Sequence, residues 1–464
     1  MNEIKKLLNE KLTENGDKAY KSTGDNLTDL FFMTPYFEKH LCEATIGTSE
    51  KEKVFSMFIR DPRFGLGRRD LGRRLMYQSK VSPENIVTAG RFDDLFNIPT
   101  DENIEYLRQQ VVSGNELAKK WLPGLTTKDK KIAKALCKMW DLTPKEYRAL
   151  KKCENTTEYK LSYAEKEIGA DTPLNELFYQ HTYKHPLVDK IDFEQVPSLA
   201  MTKYLHAFST REDIAPRYKE YLEKLQEGKA KINTSTTNVM DAYTTATGGD
   251  WTTQDVEQEA RETISKKIVD DAMTNVELNA IVILDTSGSM QWGYGNFKPL
   301  EKANAIAYAL ATHSTYAKDQ IISFSSRPRL MTIKGNTMAE KYKSMYTGDC
   351  SNTDFGAVMN LLVKLNSYPE YLVVLSDMEF DSGSSMSKSE TMKLFEERGA
   401  KTKIIWWNLN ERNKTVPEFD EYGNIYLSGY NMQILKLLEN KFDMTTYIDN
   451  ILEQYKKDIE YKEQ

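Results

Sequence analysis

The sequence predicts a multidomain protein with an all-α N-terminal half and an α/β C-terminal half built on a doubly wound parallel sheet. The first observation is that apolar residues recur every three or four positions from Asn26 to about Lys229, the spacing of helices with one buried face. The second is that short, wholly apolar runs alternate with helical stretches after Glu277. Since domains average roughly 150 residues, a chain of 464 residues has room for two large domains or three smaller ones.

Residues 1–235 have the pattern of successive helical pairs. Apolar side chains between Val54 and Ile59 are spaced to form one helix face. The predicted helix junctions coincide with prolines, and Thr143-Pro144 followed by Glu146 is typical of a helix start with Pro in the first turn and Glu as the capping partner. No strict repeat period is visible. We therefore predict a domain of packed helical pairs.

A change of composition marks the junction between the halves. The stretch from Ile232 to Trp251 is rich in Thr, Ser, Asn and Gly, which is typical of a linker. Glu257 to Asp271 then has the pattern of one helix. We predict a linker and a connecting helix over residues 236–276.

Residues 277–464 alternate between buried strands and helices. The predicted strands are Ala280–Leu284, Gln320–Phe324, Tyr371–Leu375 and Lys403–Trp407. The predicted helices between them are Ala303–Thr312, Phe355–Leu365 and Ser387–Arg398. Strands of this kind separated by helices form a parallel sheet with helices on both faces and right-handed crossovers.

The composition excludes several classes of protein. The formal net charge is −6, so there is no global positive field for nucleic acid and any polyanion site has to be a local patch. The apolar runs are far shorter than the ~18 residues that a membrane helix needs. The first eleven residues lack the apolar region of a signal peptide, so we expect a cytoplasmic protein without membrane contact.

The cysteines have no spacing that indicates a zinc site or a disulfide framework. We expect them to be buried thiols; they are Cys42, Cys137, Cys153 and Cys350.

Three separated pieces of the C-terminal half predict a metal site. Asp285, Ser287 and Ser289 lie on the loop that leaves the first strand, Thr353 precedes a helix, and Asp377 follows a later strand. Carboxylate and hydroxyl oxygens suit a hard cation, so Mg²⁺ or Mn²⁺ is the expected ion. An Asp-Thr-Ser-Gly sequence alone also forms an ordinary turn. The three pieces in order, each beside a predicted strand or helix, favour the metal.

Two basic segments predict a local polyanion site in the helical half. The first contains Arg60, Arg63, Arg68, Arg69, Arg73 and Arg74, and the second contains Lys119, Lys120, Lys130 and Lys131. Arginine at this density suits phosphate, and Gly65 and Gly67 could let the backbone approach a ligand closely. A solvated or ion-paired helix face is the alternative, and the spacing does not decide between them.

The metal pieces resemble the metal-ion-dependent adhesion site of von Willebrand factor A domains. The resemblance covers about residues 277–464 and implies coordination by Asp285, Ser287, Ser289, Thr353 and Asp377. In the other half, IRDPRFGLGRRDLGRR, AGRFDDLF, WLPG, LTPKEYRALKK, VPSLAMTKYLHAF and KINTST occur in an order that resembles the Ro-like family of TROVE proteins. That resemblance implies a HEAT-like helical-repeat ring over residues 1–235 that binds small structured or misfolded non-coding RNA.

The sequence lacks the nucleotide-hydrolase, zinc-protease and hydrolase motifs GxxxxGK[ST], HExxH and GxSxG, so we expect a binding protein and not an enzyme. Acidic residues around the metal loop, Asp354, Asp377, Glu379 and Asp381, would repel a phosphate backbone. We therefore expect RNA on the helical half and an acidic side chain of a protein partner at the metal. The alternative is a metal-dependent protein-interaction scaffold that binds no RNA.

Overall fold

The computed structural model describes residues 10–12, 18–20, 25–33, 45–126, 129–151, 191–196, 198–234, 237–248, 255–274, 276–292, 297–346, 348–378, 393, 395–410, 418–419, 425–428 and 444–461. They divide into two compact units, each made of several chain segments. The helical unit contains the described residues of 38–236, 254–260 and 448–464. The sheet unit contains those of 1–37, 237–253 and 261–447.

The helices are numbered here along the chain. They are α1 (Asn26–Met33), α2 (Glu50–Arg60), α3 (Arg69–Ser79), α4 (Pro83–Ala89), α5 (Phe92–Asn97), α6 (Asp101–Val112), α7 (Glu116–Trp121), α8 (Lys130–Met139), α9 (Pro144–Lys151), α10 (Ser198–Lys203), α11 (Leu205–Thr210), α12 (Ala215–Gln226), α13 (Val239–Thr247), α14 (Asp255–Ala272), α15 (Pro299–His313), α16 (Met338–Ser344), α17 (Phe355–Leu365) and α18 (Met444–Asp458). Short 3₁₀ turns cover Phe193–Gln195 and Ser289–Gln291.

The strands are β1 (Glu10–Leu12), β2 (Lys18–Tyr20), β3 (Ala280–Asp285), β4 (Gln320–Phe324), β5 (Arg329–Thr332), β6 (Tyr371–Ser376), β7 (Lys403–Asn408), β8 (Glu418–Phe419) and β9 (Ile425–Ser428). The predicted combination of a helix-rich N-terminal region and a C-terminal α/β region is confirmed. The predicted connecting helix is α14. The predicted helix at 387–398 lies mostly outside the described residues.

Helix α2 shows how the sequence directs local structure in the helical unit. Ser49 caps its N-terminus, and the Glu52 carboxylate accepts hydrogen bonds from the Ser49 hydroxyl and backbone, which lower the pKa of Glu52. The helix buries every residue from Val54 to Arg60. It packs against α3 so closely that a Cβ on Gly72 would lie 2.6 Å from the Arg60 Cα.

The loop between α2 and α3 folds back on the end of α2. The backbone N–H groups of Leu66 and Arg68 donate to the carbonyls of Phe58 and Ile59 at 2.9 and 2.8 Å. A Cβ on Gly65 would lie 1.8 Å from the Phe58 carbonyl oxygen. The approach of the chain to itself therefore requires glycine at position 65, and approach of this backbone to a ligand stays a prediction.

The C-terminal helix α18 crosses the boundary between the units, and its residues from Ile448 onward group with the helical unit. Within that unit, Tyr455 packs edge-on against Phe58 with ring centroids 5.4 Å apart. Its hydroxyl donates to Asp61 Oδ2 at 3.3 Å. The helical unit is thus built from several segments of the chain, while the predicted domain boundaries stay a prediction.

The sheet unit is built on a seven-stranded sheet in the order β5-β4-β3-β6-β7-β9-β8. Strands β4, β3, β6, β7 and β9 are parallel, and the edge strands β5 and β8 are antiparallel to their neighbours. All six residues of β3 are buried. One core cluster joins strand residues such as Ile283 and Val374 to Val358 of α17. The predicted α/β arrangement with parallel central strands is confirmed, within a mixed sheet whose two edge strands are antiparallel.

The order of the five parallel strands reverses at β3. The chain passes from β3 to β4 on one side and then to β6 on the other side of β3. Loops that follow β3 and β6 therefore leave the same edge of the sheet in opposite directions, which opens a crevice where ligands bind in such sheets.

The two cysteines that the structure describes differ in their exposure to solvent. Cys137 is buried, as expected, whereas Cys350 is exposed and the expectation of a buried thiol is wrong there. Cys42 and Cys153 lie outside the described residues. None of the helices that the structure describes is long and apolar enough to cross a membrane.

Candidate functional site

The three predicted metal pieces meet at the carboxyl edge of the parallel sheet. Asp285 is the last residue of β3, and Asp377 follows the last residue of β6. These strands are neighbours in register, with Leu284 opposite Leu375. Asp285 and Asp377 are both fully buried at the point where the strand order reverses, and the charge of Asp377 acts on the Asp285 carboxyl.

Hydrogen bonds hold the Asp285 carboxylate in place. Its Oδ1 accepts the backbone N–H of Ser287 at 2.9 Å, and its Oδ2 accepts the Ser376 hydroxyl at 2.5 Å. The Ser376 oxygen in turn accepts the N–H of Met378 at 3.0 Å. Sequence reasoning missed Ser376, although a polar residue at the end of a wholly apolar strand was a usable signal.

The electrostatics of Asp285 are unusual for an aspartate. Burial raises the pKa of its carboxyl to about 7, and the negative charge of Asp377 contributes to the rise. Hydrogen bonds from Ser376 and Ser287 oppose the shift. Ionising both carboxylates at neutral pH is therefore unfavourable unless an opposite charge compensates them.

The loop that carries Thr353 is tied to the loop after β3. The Thr286 hydroxyl donates to the Asp349 carbonyl at 3.0 Å, and a Cβ on Gly288 would lie 3.2 Å from the Cys350 carbonyl oxygen. The Ser325 hydroxyl, which follows β4, donates to the Asn352 carbonyl at 2.7 Å. Thr353 itself is buried. The sequence interpretation identified neither Thr286 nor Ser325 as an anchor.

The donor set consists of hard oxygen atoms. The hydroxyl oxygens of Ser287 and Ser289 lie 3.2 Å apart, and Ser289 begins a short 3₁₀ turn. Within the described ranges no three His, Cys, Asp or Glu side chains form a metal-binding group, so a cation here would depend on hydroxyls as well as carboxylates. Such oxygen ligands fit Mg²⁺ or Mn²⁺ and not zinc.

The structure changes the interpretation of the acidic residues around this edge. Asp377 is buried in the site and does not line a rim. Asp354 caps α17, where its carboxylate accepts the N–H of Ala357 at 3.0 Å. Glu379 and Asp381 lie outside the described residues, so the predicted acidic rim stays a prediction.

The arginine segment of the helical unit separates into residues paired with a buried carboxylate and residues at the surface. Arg60 and Arg73 both bind Asp94, which is fully buried; Arg60 Nη2 lies 2.8 Å from Asp94 Oδ2. Arg73 Nη2 also lies 2.9 Å from Asp93. The same Asp94 accepts the backbone N–H of Arg91 at 2.9 Å. Arg60 and Arg73 therefore follow the alternative of an ion-paired helix face. They are not the exposed phosphate ligands that the sequence analysis predicted.

The remaining predicted cations differ in exposure. Lys119 is buried and lies 3.3 Å from Glu116, so it too is unsuited to a phosphate contact. The exposed members of the set are Arg63, Arg69, Lys130 and Lys131, and the half-buried members are Arg68, Arg74 and Lys120. Lys130 and Lys131 begin α8, whose opposite face buries Ala133, Leu136 and Cys137. The exposed cations are the part of the prediction that remains available to a polyanion.

Comparisons with known proteins identify relatives of this architecture. A family model described as "Domain of unknown function (DUF2828)" matches residues 94–277, and one described as "Domain of unknown function (DUF7788)" matches residues 279–464. The chain is 26% identical over 536 aligned positions to "Uncharacterized protein L728" of Acanthamoeba polyphaga mimivirus, covering 97% of this chain and 88% of that protein.

Two solved structures are similar to parts of the chain. The Ro (RSR) protein of Deinococcus radiodurans is 12% identical, with 86% of this chain and 87% of that chain covered and a TM-score of 0.40. An aerotolerance-related membrane protein from Bacteroides fragilis is 16% identical, with 39% of this chain and 99% of that chain covered and a TM-score of 0.23. Neither TM-score reaches 0.5, so the chemistry of the site has to be inferred from its own residues.

The pairing of Arg73 with a buried carboxylate, which Arg69 lacks, predicts different effects of two matched substitutions on one helix. Arg73→Met removes a partner of a buried carboxylate and should lower the free energy of unfolding by about 3 kcal/mol. Arg69→Met removes an exposed pair with the exposed Asp70 and should change it by about 0.5 kcal/mol or less. Urea denaturation followed by circular dichroism measures both. Equal effects of the two substitutions would contradict the role of Arg73 as a partner of the buried Asp94.

Proposed function

We propose that the sheet unit binds one divalent cation, Mg²⁺ or Mn²⁺, and through it an acidic group of a protein partner. The observation that carries the proposal is the buried Asp285–Asp377 pair at the point where the strand order reverses. Ser287, Ser289 and Thr353 would complete the set of ligands, directly or through water. A bound cation would supply a Lewis-acidic coordination position for a carboxylate.

The chain's own residues prepare this position before any ligand arrives. Ser376 and the Ser287 backbone orient Asp285, while Thr286 and Ser325 hold the loop that carries Thr353. Because hydroxyls make up much of the donor set, little negative charge would reach the cation. It would then keep a strong affinity for an incoming carboxylate. This arrangement supports a domain similar to von Willebrand factor A over residues 277–464.

A second proposal concerns the helical unit, where we infer binding of small non-coding RNA in the manner of a Ro-like ribonucleoprotein component. Its support is the order of sequence motifs together with the exposed cations Arg63, Arg69, Lys130 and Lys131. A HEAT-like ring of helical repeats belongs to the same proposal. Both units would then act in binding and not in catalysis. The alternative is a metal-dependent protein scaffold without RNA.

The cation site predicts a loss of divalent binding in a variant that keeps the fold. Asp285→Asn removes one ligand charge and also the buried repulsion with Asp377, so Mg²⁺ or Mn²⁺ binding should disappear while the melting temperature without metal does not fall. Isothermal titration calorimetry and thermal unfolding measure the two effects. Glu370→Gln, an exposed acid at the opposite end of β6, is the control and should bind as the unsubstituted chain does. Undiminished binding by the Asp285 variant would exclude the site.

The raised pKa of Asp285, about 7, predicts that protons compete with the cation. In the unfolded chain the pKa of an aspartate is about 3.9. Between this pH and the folded pKa, the folded state without metal therefore keeps a proton on Asp285 that the unfolded state has lost. The contribution of Asp285 to stability is therefore fully present below about pH 4 and is lost as the pH rises through the folded pKa. Cation affinity should rise about tenfold per pH unit up to pH 7 and then level off. Affinities that do not change between pH 5.5 and 8.5 in titration calorimetry would contradict this.

The exposed cations predict which substitutions weaken RNA binding. Combined Arg69→Glu, Lys130→Glu and Lys131→Glu should weaken binding of a small structured RNA at least about tenfold and reduce the salt dependence of the affinity by about three phosphate contacts. Filter binding at several salt concentrations measures both effects. Lys364→Glu, Lys401→Glu and Lys403→Glu change the net charge equally within the sheet unit and should have little effect.

Two results would contradict the RNA proposal or its division of labour. The proposal is wrong if protein purified at low salt carries no RNA and binds neither structured nor single-stranded RNA. The division between the units is wrong if Asp285→Asn, or chelation of divalent cations, abolishes RNA binding without unfolding the chain.

A further inference from the structure

A cavity of about 420 Å³ lies within the helical unit, apart from the metal site. Four segments form its wall: the loop after α2, the α4–α5 junction, α7 and the end of α18. Volumes of about 300–1,000 Å³ are typical of pockets for small ligands. The metal-binding proposal does not use this cavity, and of its lining residues only Arg63 belongs to the predicted RNA-binding set.

The cavity presents two pairs of a guanidinium and an aromatic ring. The Arg91 Cζ lies 4.3 Å from the centroid of the Trp121 ring, and the Arg63 Cζ lies 5.6 Å from that of Phe64. Phe64 is 39% exposed although it is a large apolar residue. Arginine planes and aromatic faces are the groups on which proteins stack unpaired bases.

The positions of the two arginines are held by the surrounding chain. Arg63 Nη2 donates to the Thr88 carbonyl at 2.8 Å, and Arg91 Nε lies 3.2 Å from Asp93 Oδ1. The side chains of Arg63 and Arg91 are 51% and 39% exposed. Arg63 Nε also lies 3.6 Å from Asp61 Oδ1, so an anion would meet each guanidinium on the exposed part of its side chain, beside the carboxylate that orients it.

Acidic side chains also line the cavity. Asp458 and Glu460, at the end of α18, form part of its wall, and the Asp458 Oδ1 accepts the side-chain amide of Gln454 at 2.8 Å. The cavity thus combines cations, carboxylates and aromatic faces. A purely apolar ligand would leave these charges desolvated, and a simple anion would leave the rings and the carboxylates unused.

We propose that this cavity binds one nucleotide. The base stacks on the guanidinium–aromatic pairs, its phosphate meets Arg63 or Arg91, and the carboxylates accept hydrogen bonds from amino groups on the ring. Bases with an exocyclic amino group should therefore be preferred to uracil. The nucleotide is either free or an unstacked residue of a bound RNA, and the second source rests on the RNA-binding function proposed above.

The experiment titrates the full chain with AMP, GMP, CMP, UMP, a single-stranded RNA decamer and a fully paired RNA duplex by calorimetry. At least one of AMP, GMP and CMP should bind more tightly than UMP. Trp121→Ala should weaken nucleotide binding about tenfold to a hundredfold, whereas Trp121→Phe, which keeps a stacking face, should retain most of it. Trp292→Ala, an exposed tryptophan of the sheet unit, is the matched control and should bind as the unsubstituted chain does.

The two sources give different results. Tighter binding of the single strand than of mononucleotides, lost in Trp121→Ala, assigns the cavity to an RNA residue. Binding of mononucleotides alone assigns it to a free nucleotide and leaves the RNA proposal without support. The cavity proposal is overturned, but the RNA proposal is not, if two results occur together. Folded Trp121→Ala binds RNA as tightly as the unsubstituted chain, and the unsubstituted chain binds no mononucleotide. Equal nucleotide affinity of Trp121→Ala and the unsubstituted chain also overturns it.

Discussion

The cost of burying a carboxylate organises both units of this protein. Removing an ionised carboxylate from water is unfavourable by several kcal/mol unless an opposite charge or several donors compensate for it. In the helical unit Asp94 receives Arg60, Arg73 and the N–H of Arg91. In the sheet unit Asp285 lies beside a second buried carboxylate, Asp377, and its pKa rises to about 7. In the first arrangement opposite charges compensate the buried carboxylate, whereas in the second the negative charge of Asp377 adds to the cost of ionising Asp285.

The arginines that compensate the buried charge of Asp94 also affect which residues reach the surface of the helical unit. Arg60 is buried and Arg73 is half-buried beside Asp94, and the close contacts of Gly65 and Gly72 hold α2, α3 and their loop together. The loop then presents Arg63 and Phe64 at the cavity wall. One arginine-rich segment thus supplies both a structural ion-pair cluster and exposed cations.

In the sheet unit, the order and direction of the strands bring the predicted metal ligands together. Parallel strands end at the same edge, so the loops after β3 and β6 meet there whatever their separation in the sequence. Serine and threonine hydroxyls then connect those loops behind the predicted ligands, as Ser376 does for Asp285. A site held in this way needs little reorganisation to accept a ligand, which lowers the entropic cost of binding.

The sequence by itself was sufficient to predict the structural features that depend on residues close together along the chain. Helical spacing and apolar runs placed the helices and the central strands, because those patterns reflect local periodicity. The order of Asp285, Thr353 and Asp377 along the chain was sufficient to predict that they would share one edge of a parallel sheet.

Only the tertiary structure decided which charges are buried and which segments enclose a cavity. Asp94 is the partner of Arg73 from 21 residues away, and Tyr455 donates to Asp61 from 394 residues away. The wall of the nucleotide-sized cavity likewise extends from Arg63 to Glu460. No local sequence pattern encodes such pairs. Which side chains form an ion pair or line a cavity depends on which helices and loops pack together, and that packing is determined by the core as a whole.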